Sequence, residues 1–241
     1  MYQDETSYEV ISSAPKGSLT MARTFIARVF SWMFVALMIT AVTSMVFAAT
    51  PSLLKLLVAP TGMTLLGWIV MLSPLGFVLA MSAGFNKFST PVLTLFFILF
   101  AVLMGMSLSF IFLVYTLASI FITFLVAAAM FGIMAVAGYT TKTDLTRFGS
   151  LMIMGLIGLI LASVINMFMK SSTLDYIVSF IGVLVFTGLT AYDVQKLKRI
   201  GSGLEYGNEA VGKLTLMGAL SLYLDFINLF LYLLRFFGNR R

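Results

Sequence analysis

The chain has 241 residues, of which 61% are hydrophobic and 10% charged; soluble domains run about 45–50% apolar and about 25% charged, so a polytopic membrane protein is expected instead. It has no Cys and no His, which excludes disulfides, thiol nucleophiles, the usual zinc sites, His-ligated haem and Ser-His-Asp catalysis. The net charge of +6 comes from basic residues scattered through loops, without the interleaved aromatics of a nucleic-acid surface, so no nucleic-acid partner is expected.

Residues 1–20 are polar, with Ser12, Ser13, Pro15, Lys16 and Gly17, and read as a flexible cytoplasmic tail. They do not read as a signal peptide, because the apolar stretch behind Arg28 is too long for an h-region. Residues 21–241 read as a single all-α transmembrane domain of seven helices. The first span is expected at residues 29–49, after Arg23 and Arg28. Pro51 and Pro60 bracket a short loop holding Lys55. The second span, residues 62–83, is interrupted by Ser73-Pro74, which predicts a kink. A turn with Asn86 and Lys87 follows, and Pro91 suits the first position of the next helix.

Residues 92–138 carry no charge. As one helix they would run roughly 70 Å, far beyond a hydrocarbon core of about 30 Å. They must therefore form two helices, with a turn predicted near residues 115–119. A polar loop at residues 139–149 leads to the fifth span, residues 151–169, with Thr143 or Thr146 as its cap. The sixth span is expected at residues 176–197, with Asp175 at its start and Lys196, Lys198 and Arg199 closing it. A Gly-rich loop at residues 201–212 precedes the seventh span, residues 214–238. An N-terminus on the cytoplasmic side puts ten Lys and Arg inside and five outside, as the positive-inside bias prefers. Arg235, Arg240 and Arg241 oppose that orientation, and leave open a last helix that re-enters instead of crossing.

Of the nine acids, only Asp193 and Asp225 fall inside apolar segments. A carboxylate at that depth costs about 2.5–3.5 kcal/mol on insertion scales and marks a candidate functional site. With no His, any pH response must come from carboxylates. Each acid also has a separate explanation. Asp193 lies one turn from Lys196 and can end its helix there; Asp225 can bond Asn228 at i+3. Tyr192 and Tyr223 stand beside the acids, as donors or as packing. Arg235 reads as a side chain snorkelling to the interface. The seventeen methionines are dispersed and read as core filling.

Three stretches carry a family resemblance: GYTTKTDLTRFGSLMIMGLIGLILASVINMF at residues 138–168, VFTGLTAYDVQKLK at 185–198, and SLYLDFINLFLYLLRFFGNRR at 221–241. In them the chain resembles the Bax inhibitor-1 family, in its bacterial branch. The resemblance implies a seven-helix bundle with a central C-terminal helix, in a bacterial inner membrane. It implies a pH-sensitive calcium leak whose sensor is an aspartate pair, mapping by motif onto Asp193 and Asp225. Carboxylates about 3 Å apart would share one proton and clasp the sixth and seventh helices; doubly ionised, they would repel. Parted, they would offer hard oxygens to a passing Ca²⁺, too few for tight binding. No cofactor is expected.

One departure concerns the latch. A related member uses an arginine on the second helix; here that helix ends AMSAGFNKF, and Lys87 is the nearest cation, a point charge and not a fork. Two alternatives remain from the resemblance and the acids. Some bacterial relatives are linked to a membrane quality-control protease as modulators, a role for the tail and loops. An intramembrane aspartyl protease would need Gly-x-Gly-Asp, where this chain has Leu222-Tyr223-Leu224-Asp225, and a Pro-Ala-Leu, where no proline follows Pro91. Enzymatic activity is therefore not expected.

Overall fold

The computed structural model describes residues 16–59, 62–204 and 209–240. Its long helices are α1 (Lys16–Ala49), α3 (Leu65–Ala83), α4 (Thr90–Leu108), α6 (Leu117–Thr140), α7 (Thr146–Met169), α8 (Ser172–Ser202) and α9 (Glu209–Phe237). Two short helices, α2 (Pro51–Leu57) and α5 (Ile111–Val114), lie in the connections. A two-stranded antiparallel hairpin, β1 (Val58–Ala59) with β2 (Gly62–Met63), joins α2 to α3. Among the described residues, seven helices are long and apolar enough to cross a membrane. The chain is a polytopic all-α membrane protein.

Local chemistry sets many of the boundaries. Proline opens both α2 and α4 near the first helical position, where no amide donor is needed. The hydroxyls of Thr64, Thr116 and Ser171 accept from the backbone amides of Gly67, Ser119 and Leu174 and so cap α3, α6 and α8. Pro74 sits inside α3 and cannot donate to the Val70 carbonyl. The Ser73 hydroxyl takes that carbonyl instead, at 3.0 Å, and the helix continues through. This is the local repair that lets a spanning helix keep a proline.

Several expected boundaries shift. α1 begins at Lys16, so the expected tail boundary at residue 20 falls within a helix; residues 1–15 lie outside the described residues. The uncharged stretch turns in two places, at Ser109-Phe110 and at Tyr115-Thr116, with α5 between them. Neither Thr143 nor Thr146 caps α7. Leu145 holds the N-cap position without a side-chain bond, and Asp144 before it accepts from the Thr146 amide, Oδ1 at 2.9 Å. Polar turns extend α8 to Ser202 and start α9 at Glu209, beyond both apolar boundaries. The Gly-rich loop is correspondingly shorter, and residues 205–208 of it lie outside the described residues.

α9 is the central helix. In its most apolar window 67% of residues are buried, and in that of α8 56%, against 11–28% in the other five spans. α9 packs against α8, α1, α6 and α4. α7 packs chiefly on α8 and turns Ile157, Ile160, Leu161, Val164 and Ile165 outward. α9 also runs the full length of the bundle. Beyond its end, Asn239 exchanges hydrogen bonds with the Tyr115-Thr116 turn region: its carbonyl accepts from the Thr116 amide at 3.2 Å and its amide donates to Ser119 Oγ at 3.0 Å. Its start lies at the opposite end, with the loop between α6 and α7. The last helix thus spans the bundle from end to end.

Candidate functional site

The two intramembrane acids lie on the most buried pair of helices, α8 and α9, which run antiparallel. Both helices extend about one turn past their apolar segments, and this carries Asp193 far enough from the end of α8 to face the interior of α9. Close backbone approach helps. At Gly138 of α6 a Cβ would meet the Ala191 carbonyl, so only glycine lets α6 press against α8 two residues before Asp193.

Asp193 accepts a hydrogen bond from the Ser221 hydroxyl of α9. Ser221 and Asp225 are four residues apart, hence on one face of α9 and about 6 Å apart along its axis. Asp225 is 5% exposed, and its Oδ2 has no hydrogen-bond partner among the described residues. Across this contact the hydrogen bond is Ser221 to Asp193, and Asp225 stands one turn further along α9. An orphaned buried carboxyl costs about 1–3 kcal/mol, more if charged. Such a group calls for a proton, a water or a cation. The two carboxyls and one hydroxyl offer hard oxygens, fewer than the six to eight that Ca²⁺ takes. Among the described residues no cluster of three metal-ligating acids, Cys or His occurs.

The supporting residues named from the sequence go elsewhere. Asn228 does not bond Asp225; its Nδ2 donates to the Leu224 carbonyl at 2.8 Å. Tyr223 does not serve either acid. It is fully buried, with its hydroxyl 2.7 Å from Thr40 Oγ1. Thr40 spends its one hydroxyl proton on the Ala101 carbonyl at 2.9 Å, so Tyr223 must be the donor. This chain ties α9 to α1 and α4, and Phe100 packs edge-on to the Tyr223 ring at 5.2 Å. The Tyr192 ring lies over Gly149 of α7. Lys87 is exposed in the turn between α3 and α4 and bonds neither acid. Arg235 is not a lone snorkelling cation: its guanidinium is 3.3 Å from Asp175 Oδ1 and stacks over Tyr232 at 5.8 Å.

A second polar assembly was not singled out by sequence reasoning. Beyond Asp193, α8 presents Gln195, Lys198 and Arg199 to the loop between α6 and α7. Gln195 Oε1 accepts from the Leu145 amide at 2.9 Å and its Nε2 donates to the Thr143 carbonyl at 2.8 Å. Lys198 donates to the Tyr139 carbonyl at 2.7 Å, near the negative end of α6, and lies over the Tyr139 ring. Arg199 reaches Asp144 Oδ1 at 2.5 Å. That guanidinium, with the Thr146 hydroxyl and amide, holds the Asp144 carboxyl well below the usual carboxylate range. The signal was present in the i, i+3, i+4 spacing of the three α8 residues, which sets them on one face opposite a polar loop.

Comparison with known proteins agrees with this architecture. The family model described as inhibitor of apoptosis-promoting Bax1 matches residues 22–241. The chain is 47% identical over 220 residues to inner membrane protein YbhL of Escherichia coli K12, with 91% of this chain and 93% of that protein covered. It is 43% identical over 226 residues to an uncharacterised protein of Borreliella burgdorferi, covering 94% and 96%. With an uncharacterised protein of Rickettsia prowazekii the identity is 45% over 222 residues, covering 91% of each.

Proposed function

The chain belongs to the Bax inhibitor-1 family, and on that premise we propose that it is a proton-sensitive cation leak, with calcium as its cation, in a bacterial inner membrane. The observation that carries the reading is the unpartnered Asp225 Oδ2 in the bundle interior, one turn from the Asp193–Ser221 bond. The inner-membrane location follows the name of the Escherichia coli relative. A cytoplasmic N-terminus follows the excess of Lys and Arg at that end.

With a proton on Asp225, one net negative charge sits at the α8–α9 contact, and Ser221 holds it. Without that proton, two carboxylates face each other across the same contact with one hydroxyl donor between them. Repulsion between them favours parting of α8 from α9, and a divalent cation entering the gap neutralises both. Two carboxylates give weak, transient coordination, which suits passage and not storage. Flux rises as pH is raised through the titration of the pair. The test is calcium entry into proteoliposomes holding a calcium dye, across a pH series. Asp193→Asn and Asp225→Asn each remove the pH dependence; flux and pH profile unchanged in both variants would end the reading.

A further inference from the structure

We propose that the polar cleft at the Arg235 end of the bundle binds the phosphate of an anionic membrane lipid. The cleft is a cavity of about 400 Å³ lined by Asn166, Lys170, Ser172, Asp175, Arg235 and Arg240. A second cavity of about 240 Å³ shares Asn166, Asp175 and Arg235 and continues along Ser163, Met167 and Val178, between α7 and α8. The two cavities thus adjoin at the C-terminal end of α9.

Among the described residues the charges in the cleft do not balance: three cations, Lys170, Arg235 and Arg240, face one carboxylate, Asp175. Both arginines point at that carboxylate, but at 3.3 Å and 3.7 Å. Charge-assisted bonds of this kind close to about 2.7–2.9 Å. Each guanidinium carries five N–H donors, and among the described residues neither makes a hydrogen bond that meets normal geometry. The cleft therefore holds a surplus of positive charge and of unspent forked donors, the geometry that takes a phosphate bidentately. Lys170 stands at the mouth, exposed, at φ 51°, where the chain reverses between α7 and α8.

The surroundings select the source of the phosphate. Tyr176 lines the cleft and Met167 lines its continuation, and both are exposed, as is Met169, which directly precedes Lys170. A site for a free ion in water has no use for an exposed apolar rim. At a membrane–water boundary that rim lies among acyl chains while the cations reach the headgroup layer. This inference is independent of any flux through the bundle.

The test is native mass spectrometry of the full chain in detergent, titrated with phosphatidylglycerol or with diacylglycerol bearing the same acyl chains. Wild type should retain phosphatidylglycerol about ten-fold more tightly, the worth of one charge-assisted contact. The double variant Lys170→Gln/Arg240→Gln, altered only at exposed positions, should bring the two lipids level. Asp175→Asn, which removes the carboxylate that competes for the arginines, should tighten phosphatidylglycerol binding. Equal retention of both lipids by wild type, or no change in the double variant, overturns the proposal. So does weakening in Asp175→Asn, which would mean that Asp175 builds the site and does not compete for it. Displacement of phosphatidylglycerol by millimolar inorganic phosphate would make the free ion the ligand and overturn the lipid assignment.

Discussion

Ser221 of α9 donates its hydroxyl proton to Asp193 of α8, and this bond joins the two most buried helices of the bundle. It also fixes the register between them. Held to Ser221, Asp193 meets α9 one turn from Asp225. The arrangement satisfies one acid and leaves the other with an unused oxygen.

Replacing Ser221 by Ala removes the donor and leaves the Asp193 carboxyl without its partner. Loss of a hydrogen bond to a charged group costs about 1.5–3 kcal/mol. The expected outcome is a lower melting temperature in detergent together with a higher resting calcium leak, because the α8–α9 bond is gone. A leak that stays at the wild-type level while stability falls would separate Ser221 from gating.

Asp225→Leu should behave in the opposite sense. It swaps an orphaned polar group for an apolar side chain of similar bulk, and replacing an unsatisfied group in this way is neutral or stabilising. Stability should hold or rise by about 1–3 kcal/mol, while the pH dependence of flux disappears. Thermal melts and the liposome assay read the two effects separately. A marked loss of stability would mean that Asp225 has a structural partner after all.

These two acids stood out in the sequence because charge is rare in such apolar segments, and their neighbourhood did not. Ser221 looks like any small residue on a packing face, and its partner lies 28 residues away. Thr40 and Tyr223 are separated by 183 residues, and no local pattern links them. The spans were legible from apolar length and from Pro51 and Pro91 at helix starts. The meeting of Asp193 with α9 was not, because hydropathy marks the membrane boundary and not the helix boundary; α8 and α9 continue as polar helix beyond it. The Arg235–Asp175 pair was within reach. Opposite charges at the start of one span and the end of its antiparallel neighbour fall at the same end of the bundle.

Tyr223→Phe tests whether the tyrosine serves the fold or the acids. Its hydroxyl donates to Thr40, which passes its own proton to Ala101. Interhelical hydrogen bonds within membranes contribute about 0.6–1.7 kcal/mol, so a loss of stability of that order is expected. Flux and its pH profile should be unchanged. A shifted pH profile would place the hydroxyl in contact with Asp225 in some other state of the bundle.

The loop between α6 and α7 provides a pH dependence of a different kind. Arg199 and Thr146 depress the titration of Asp144 in the folded chain, below the value of about 3.9 that an unfolded aspartate has. A depressed carboxylate adds stability that is fully present above the unfolded value and is lost as pH falls toward the folded one. The strap that Gln195, Lys198 and Arg199 make over residues 139–146 should therefore be constant from pH 8 to about pH 5 and loosen only in stronger acid. The Asp144 and Arg199 side chains are exposed, so high salt should weaken the pair at every pH. Amide hydrogen exchange at Thr146, whose N–H donates to Asp144, reads the strap directly. Protection should fall below about pH 4 in the wild type, and should be low and insensitive to pH in Asp144→Asn. A change in protection between pH 6 and pH 8 would instead couple this loop to the deeper acids, because Asp144 itself does not titrate there.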